Sequence, residues 1–307
     1  MLVREVTLVG VLLLALFIFG AGLPSVAADS AVVAEGRITI AVLDFGDSTF
    51  GREVANTFAT TLKKESGVVV IDRDQSRAAA RGSEYSGALN LSRSEARNLG
   101  AVLGCDFFVL GEAKTFRRSP STGAIYFDSF ASLFIVSARS GRLVRWDRPN
   151  FSAPTAAKAE EALLAYLSAP LARPPYIDSI RRAQEAEQGE RAVISTDQQV
   201  PLIEAAPDDD KTAAAEGLQL PRPFRRFIPP YPPAASEGDI EAVVDVLVDL
   251  DAAGEVTRVE VERWAGFGLD EATIETVRRL HFFPALRNGV AVPIRVLLRY
   301  NFRKPPR

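Results

Sequence analysis

Apolar and polar positions change period several times along the chain, and each change marks an element. "ITIAVL" (residues 38–43) is apolar on both faces, the pattern of a buried strand. After the turn "DFGDSTFG", Val54, Ala55, Phe58, Ala59 and Leu62 recur three and four apart, which predicts an amphipathic helix. "GVVVIDR" (67–73) reads as a second strand. Ser92 and Glu95 form a capping box opening a helix with Ala96, Leu99 and Leu103 inward. "CDFFVLGEA" (105–113) is a third strand. "AIYFDSFASLFIVSA" and "RLVRW", split by the turn "RSGR" (139–142), predict an antiparallel hairpin added to the sheet. A helix over about 156–171, with Ala159, Leu163, Leu164 and Leu167 aligned, closes the unit. Strands alternating with helices predict a mixed, partly parallel sheet.

The pattern then lapses. "YIDSIRRAQEAEQGERA" is compatible with a helix, but "APDDDKTAAAEG" (206–217) is acidic and poor in large apolar groups, which is linker chemistry. The carboxylates of Asp208, Asp209 and Asp210 read as a solvated face, without the spacing of a calcium loop. Periodicity resumes with "FIPPYPPAA" (227–235), prolines around Tyr231 leading rigidly into a short helix. "IEAVVDVLVDL" alternates, with Ile240, Ala242, Val244, Val246, Val248 and Leu250 on one face. The chain turns at Gly254 and returns as "VTRVEVERW". A helix follows, and "VPIRVLLRYNF" alternates most cleanly: Val292, Ile294, Val296, Leu298, Tyr300 and Phe302 against Arg295, Leu297, Arg299 and Asn301. The expected fold is α/β followed by α+β in two small domains. A mixed-sheet α/β domain spans 37–172, a partly disordered linker 173–221, and an antiparallel sheet with a packed helix 222–307.

The first residues change the picture. Residues 6–23 are uncharged and about long enough to cross a bilayer as a helix. Pro24 breaks the run, and "SVAA" (25–28) offers the small residues a signal peptidase prefers. Residues 1–28 are therefore either a cleaved signal peptide or an uncleaved inner-membrane anchor. Both place Asp29 onward in the periplasm, soluble in the first case and tethered in the second. No lipobox cysteine follows.

Composition narrows the chemistry further. A net charge of −3 over 307 residues argues against a nucleic-acid partner. One cysteine, Cys105, excludes an internal disulfide framework and a cysteine zinc cluster, and one histidine, His281, leaves little room for metal or triad chemistry. "DFG" (44–46) lacks the other kinase signatures and reads as a strand end and turn. "DLDAAGE" (249–255) lacks calcium ligands and reads as a hairpin turn. His281 has no carboxylate and nucleophile spaced around it as a general base needs, and reads as a cation at a helix end or a packing residue. Cys105 reads as a small hydrophobe. No enzyme, metal or cofactor is expected.

"PYPPAA", an alternating strand, "DAAGEV", "GFGLDEA", "VRRLHFFPA", "NGV" and a final alternating strand occur in one order. From about Arg222 to Phe302 this resembles the C-terminal domain of TonB-family energy transducers. The resemblance implies a periplasmic domain that grips a segment of an outer-membrane TonB-dependent receptor, or another envelope protein, as an added strand. It would act in transmembrane or protein transport, and an inner-membrane proton-driven motor complex is a further implied partner. The matching partner-binding residues are Phe227, Ile228, Pro230, Tyr231 and Pro232 in the lead-in. In the last strand they are Val292, Ile294, Arg295, Val296, Leu297, Leu298, Arg299 and Tyr300. Whether that strand is free, internal or paired in a homodimer stays open, so a passive scaffold with a dimerising domain is the alternative. Residues 37–172 resemble, more loosely, the α/β domain of TolB N-terminal and CsgG-like envelope proteins, through "ITIAVLDFGD", "VANTFATTL", "VVVIDR", "LGAVLGCDFFVLGEA" and "SARSGRLVRW".

Two features depart from a working transducer. Residues 6–23 lack the histidine that usually meets the motor. In place of a proline-rich spacer stand a folded domain and about 50 linker residues, reaching about 40 Å as a coil. Passive binding is expected ahead of force transmission.

Overall fold

In the computed structural model, residues 37–83, 85–169, 176–195, 203–207 and 210–304 are described. The apolar run 6–23, the stretch 25–28, and Asp208 and Asp209 lie outside them. Among the described residues no helix is long and apolar enough to cross a membrane.

Strand β1 (Ile38–Val42) leads to helix α1 (Thr49–Leu62), whose cap Ser48 accepts a hydrogen bond from the Gly51 N–H at 2.9 Å. Strand β2 (Val68–Val70) is shorter than the sequence predicts, because Asp72 caps a helix, α2 (Arg73–Gly82), straight after it. The apolar pattern does not announce α2, since it buries only Ser76 and Ala80. The capping box at Ser92 and Glu95 opens α3 (Arg93–Leu103), which Gly104 ends in the left-handed conformation. Then come β3 (Phe107–Arg118), β4 (Tyr126–Ser137), β5 (Leu143–Asp147), β6 (Asn150–Ala153) and α4 (Ala156–Ser168). The sheet order is β2-β1-β3-β4-β5, with β6 also on β4. β1 is parallel to both neighbours, and the remaining pairs are antiparallel.

Alternate residues of this sheet serve two cores. Ile40, Val42, Phe107, Val109, Leu133 and Ile135 face α1 and α4. The stretch read as linker contains α5 (Tyr176–Ser195), whose Tyr176, Ile177 and Ile180 are buried in that same core.

The chain continues through α6 (Asp210–Ala215), β7 (Leu218–Gln219), β8 (Arg222–Pro223), α7 (Pro233–Glu237), β9 (Ala242–Leu250), β10 (Val256–Arg263) and α8 (Leu269–Val277). It ends with β11 (Phe282–Phe283), β12 (Ala285–Arg287), β13 (Val290–Val292) and β14 (Ile294–Phe302). β10-β9-β14 form an antiparallel sheet, with α8 among the elements packed on it. β11 pairs with β8, and β12 lies between β13 and β7. The whole is α+β.

The other face of the first sheet supplies Ala41, Leu43, Phe108, Leu110, Phe134 and Val136 to a second core. This core runs without a break into Val244, Val246, Val248, Trp264, Phe267 and Leu269. Residues from Arg37 onward thus form one compact unit. At the junction Trp264 stacks on Phe134 with centroids 5.7 Å apart, and Phe267 packs against Phe134 and Trp146. The buried Trp264 Nε1–H donates to the Gly141 carbonyl at 3.1 Å. Gly266, at φ +74°, passes so close that a side chain there would collide with Phe134 and crowd Trp146. Arg93, Arg142 and Arg258 all pair with Glu260. Burial works against the Glu260 charge, but these arginines hold its carboxyl below its ordinary range.

Candidate partner-binding edge

β14 is the outer strand of its sheet, and its alternation divides cleanly. Ile294 and Phe302 are buried, and Val296, Leu298 and Tyr300 are half-buried against the core. Arg295, Leu297, Arg299 and Asn301 take the opposite face. The register pairs Arg295 with Asp249 and Arg299 with Asp245 of β9. Both arginines grip their carboxylate with two nitrogens, at 2.5 and 2.8 Å for Asp249 and at 2.7 and 2.9 Å for Asp245. Arg263 adds a contact to Asp245 at 3.5 Å. The two aspartates are almost fully buried, so these forked pairs balance charges that would otherwise be costly beneath the strand. They fix β14 in register and in place.

The same register settles where the backbone groups point. The Arg295 N–H donates to the Glu204 carbonyl at 2.8 Å, and the Arg295 carbonyl accepts from the Ala206 N–H at 2.7 Å. Residue 295 therefore turns its main chain away from β9. In an antiparallel ladder this direction repeats every second residue, so Leu297, Arg299 and Asn301 present theirs on the same side. Among the described residues nothing pairs with those three main-chain sites. The edge is closed by residues 204–206 at Arg295 and open from Leu297 to Asn301. Arg287 holds Glu204 at 2.6 Å, securing that cover.

The residues marked in the sequence do not all meet at this edge. Val292 belongs to β13, pairs with Ala285, and is separated from β14 by Pro293. The expected single strand over 292–302 is therefore two, because proline has no N–H to carry a ladder across residue 293. In the lead-in, Phe227, Ile228 and Pro230 are exposed, while Pro232 is half-buried. Tyr231 is turned inward, its hydroxyl donating to the Ile240 carbonyl at 2.6 Å. The pattern did not single out Asn301, the cover at residues 204–206, or Asp245 and Asp249.

His281 is exposed, with Nδ1 2.8 Å from Glu255. Burial pushes the Cys105 thiol up to about 12, which leaves no thiolate for reaction near neutral pH. Asp270, in the first turn of α8, accepts from the N–H groups of Ala265 at 2.9 Å and Gly266 at 2.8 Å. Burial nevertheless outweighs those bonds and pushes its carboxyl up to about 7. The folded protein thus keeps this proton up to near neutrality, whereas the unfolded chain releases it near 4. Its contribution is fully present below about pH 4 and is lost as pH rises through about 7. The stability difference between wild type and D270N, from urea unfolding, is expected to fall over that window and flatten above it. A difference independent of pH would contradict the burial of this group.

Residues 228–303 match the family described as Gram-negative bacterial TonB protein C-terminal. Protein TonB from two strains of Xanthomonas campestris pv. campestris is 37% identical to this chain over 75 residues. The match covers 24% of this chain and 34% of each relative, so the chain spans about a third of the length of the curated relatives it matches. Among solved structures, the Pseudomonas aeruginosa TonB CTD aligns at 24% identity and TM-score 0.25, covering 28% of this chain and 89% of that one. Lipoprotein GNA1162 from Neisseria meningitidis aligns at 15% identity and TM-score 0.29, over 49% of this chain and 99% of that one. The hypothetical protein CT253 from Chlamydia trachomatis aligns at 13% and 0.28, over 38% and 72%. These structural likenesses are too slight to carry argument, and it is the sequence match that identifies residues 228–303 as a TonB C-terminal domain.

Proposed function

We propose that this chain is an exported, non-enzymatic envelope protein of TonB type that takes an extended segment of a partner as a further strand beside β14. The observation that carries the reading is the run of unpaired main-chain groups at Leu297, Arg299 and Asn301, on a strand held in register by buried ion pairs. Such an edge gives affinity through the backbone and asks little of the partner's side chains. The TonB C-terminal match supports an outer-membrane TonB-dependent receptor as the partner, in support of transport across the envelope. Residues 6–23, without a histidine, support binding without force transmission. The looser resemblance of residues 37–172 to TolB N-terminal and CsgG-like domains supports an envelope-assembly or protein-binding role for the first sheet.

Proline at Leu297 tests the edge selectively. It removes an outward N–H and leaves the β9 ladder intact, whereas proline at Val296 would break the bond to β9 and report stability instead. Immobilised full-length L297P is expected to capture about fivefold less receptor from detergent-solubilised outer membranes than wild type, one lost main-chain bond being worth about 1 kcal/mol. The thermal unfolding midpoint should move little. Unchanged capture would refute strand addition here. Recovery of this chain alone, with dimers in sedimentation equilibrium, would favour the self-pairing scaffold.

A further inference from the structure

β8 and β11 bring together two stretches that share one chemistry, "RPFRRFI" (222–228) and "RRLHFF" (278–283). Phe282 pairs with Pro223 and Phe283 with Arg222. The rings of Phe224 and Phe283 then meet with centroids 4.3 Å apart. Both stay open to solvent, at 57% and 60% exposure, and Phe227 and Ile228, three and four residues on from Phe224, are exposed at 48% and 92%. Exposed apolar side chains gathered in this way mark an interaction surface.

The charged residues within these two stretches have one sign. Arg222, Arg225, Arg226, Arg278 and Arg279 are all exposed. Among the described residues the first four have no carboxylate at ion-pair distance, and Arg279 meets Glu275 only at 3.7 Å. The nearby Glu255 is held by His281. In a chain of net charge −3 this is a local cationic field around protruding hydrophobes.

We infer that this surface docks on an anionic phospholipid bilayer, with Phe224, Phe227, Ile228 and Phe283 entering the headgroup boundary and the arginines contacting lipid phosphates. A partner peptide is favoured by a groove or an open strand edge. These side chains instead stand proud of the surface, as Ile228 at 92% exposure shows, and a lipid interface accepts projecting apolar groups ringed by cations. The patch takes in Phe227 and Ile228 of the lead-in but not the open edge of β14. L297P probes that edge alone, and Phe224, Phe283, Arg225 and Arg226 probe the patch alone, so the two readings fail separately.

The test is co-sedimentation of residues 37–307, which hold both cores, with vesicles of phosphatidylcholine alone or mixed with phosphatidylglycerol. Retention is expected only on the mixed vesicles and should weaken with added salt. R225E/R226E should reduce it by about twentyfold or more, and F224S/F283S by about tenfold, without change in the thermal melt. In parallel, the full chain reconstituted in lipid discs should show slower amide exchange at 222–228 with phosphatidylglycerol present. Equal retention on both vesicle types, indifference to these substitutions, or binding to polyglutamate but not to vesicles would overturn the assignment.

Discussion

Replacing Trp264 with alanine is expected to destabilise the protein by about 3–5 kcal/mol, the usual cost of emptying a buried indole site. The residue is 1% exposed, stacks on Phe134 and spends its N–H on the Gly141 carbonyl. The larger consequence is for cooperativity. Trp264 lies where the second core passes from the first sheet into the second, so removing it hollows out the join. Urea unfolding of the wild type is expected to be a single transition, with circular dichroism and tryptophan fluorescence coinciding. In W264A the two probes should separate. A loss below about 1 kcal/mol with coincident transitions would show that the two sheets do not depend on this contact.

Asn90 should be the next most sensitive position, although it lies in a loop. β10 ends at Arg263, leaving the Val243 main chain of β9 without a strand partner on that side. The Asn90 side chain takes its place. Its Oδ1 accepts from the Val243 N–H at 3.0 Å, and its Nδ2 donates to the carbonyls of Val243 at 2.9 Å and Trp264 at 2.5 Å. The carboxamide thus continues the sheet by one main-chain unit, supplied from the other half of the chain. N90A leaves three polar groups without partners and is expected to cost about 2–3 kcal/mol. N90D, which keeps the acceptor but loses both donors, should cost nearly as much. Equilibrium unfolding of both variants checks this, and near-wild-type stability of N90A would mean that water substitutes for the amide.

Both effects arise at the join between the two halves, where the sequence was least legible. Composition shift and lost periodicity after residue 173, with the acidic stretch 206–217, read as a linker, although 210–215 form α6 and bury Ala213 in the second core. What the pattern does not reveal is that α5 buries Tyr176, Ile177 and Ile180 under the first sheet. It also hides that the two-faced apolar run of β4 needs the C-terminal sheet to cover its second face. "SFASLFIVS" shows that both faces are buried, and nothing in it names what covers them.

The candidate edge was legible in part. Alternation in "VPIRVLLRYNF" assigned the two faces of β14 correctly, and Asp245 and Asp249 have the same four-residue spacing as Arg295 and Arg299. Equal spacing is what an antiparallel register needs to pair them, so this complement was available in the sequence.

By itself the sequence determined the strongly periodic elements, their burial faces and the TonB-like character of the last domain, because periodicity, caps and turn residues act over a few positions. The helix α2, the burial of α5 and the break at Pro293 escaped it. Only the tertiary structure decided which main-chain groups of β14 point outward, that residues 204–206 cover the first of them, and that two arginine–phenylalanine stretches lie side by side. Those facts depend on register and on contacts between residues far apart in the chain. Hydrogen-bond direction alternates with the partner strand's alignment, which side-chain chemistry along one strand does not encode.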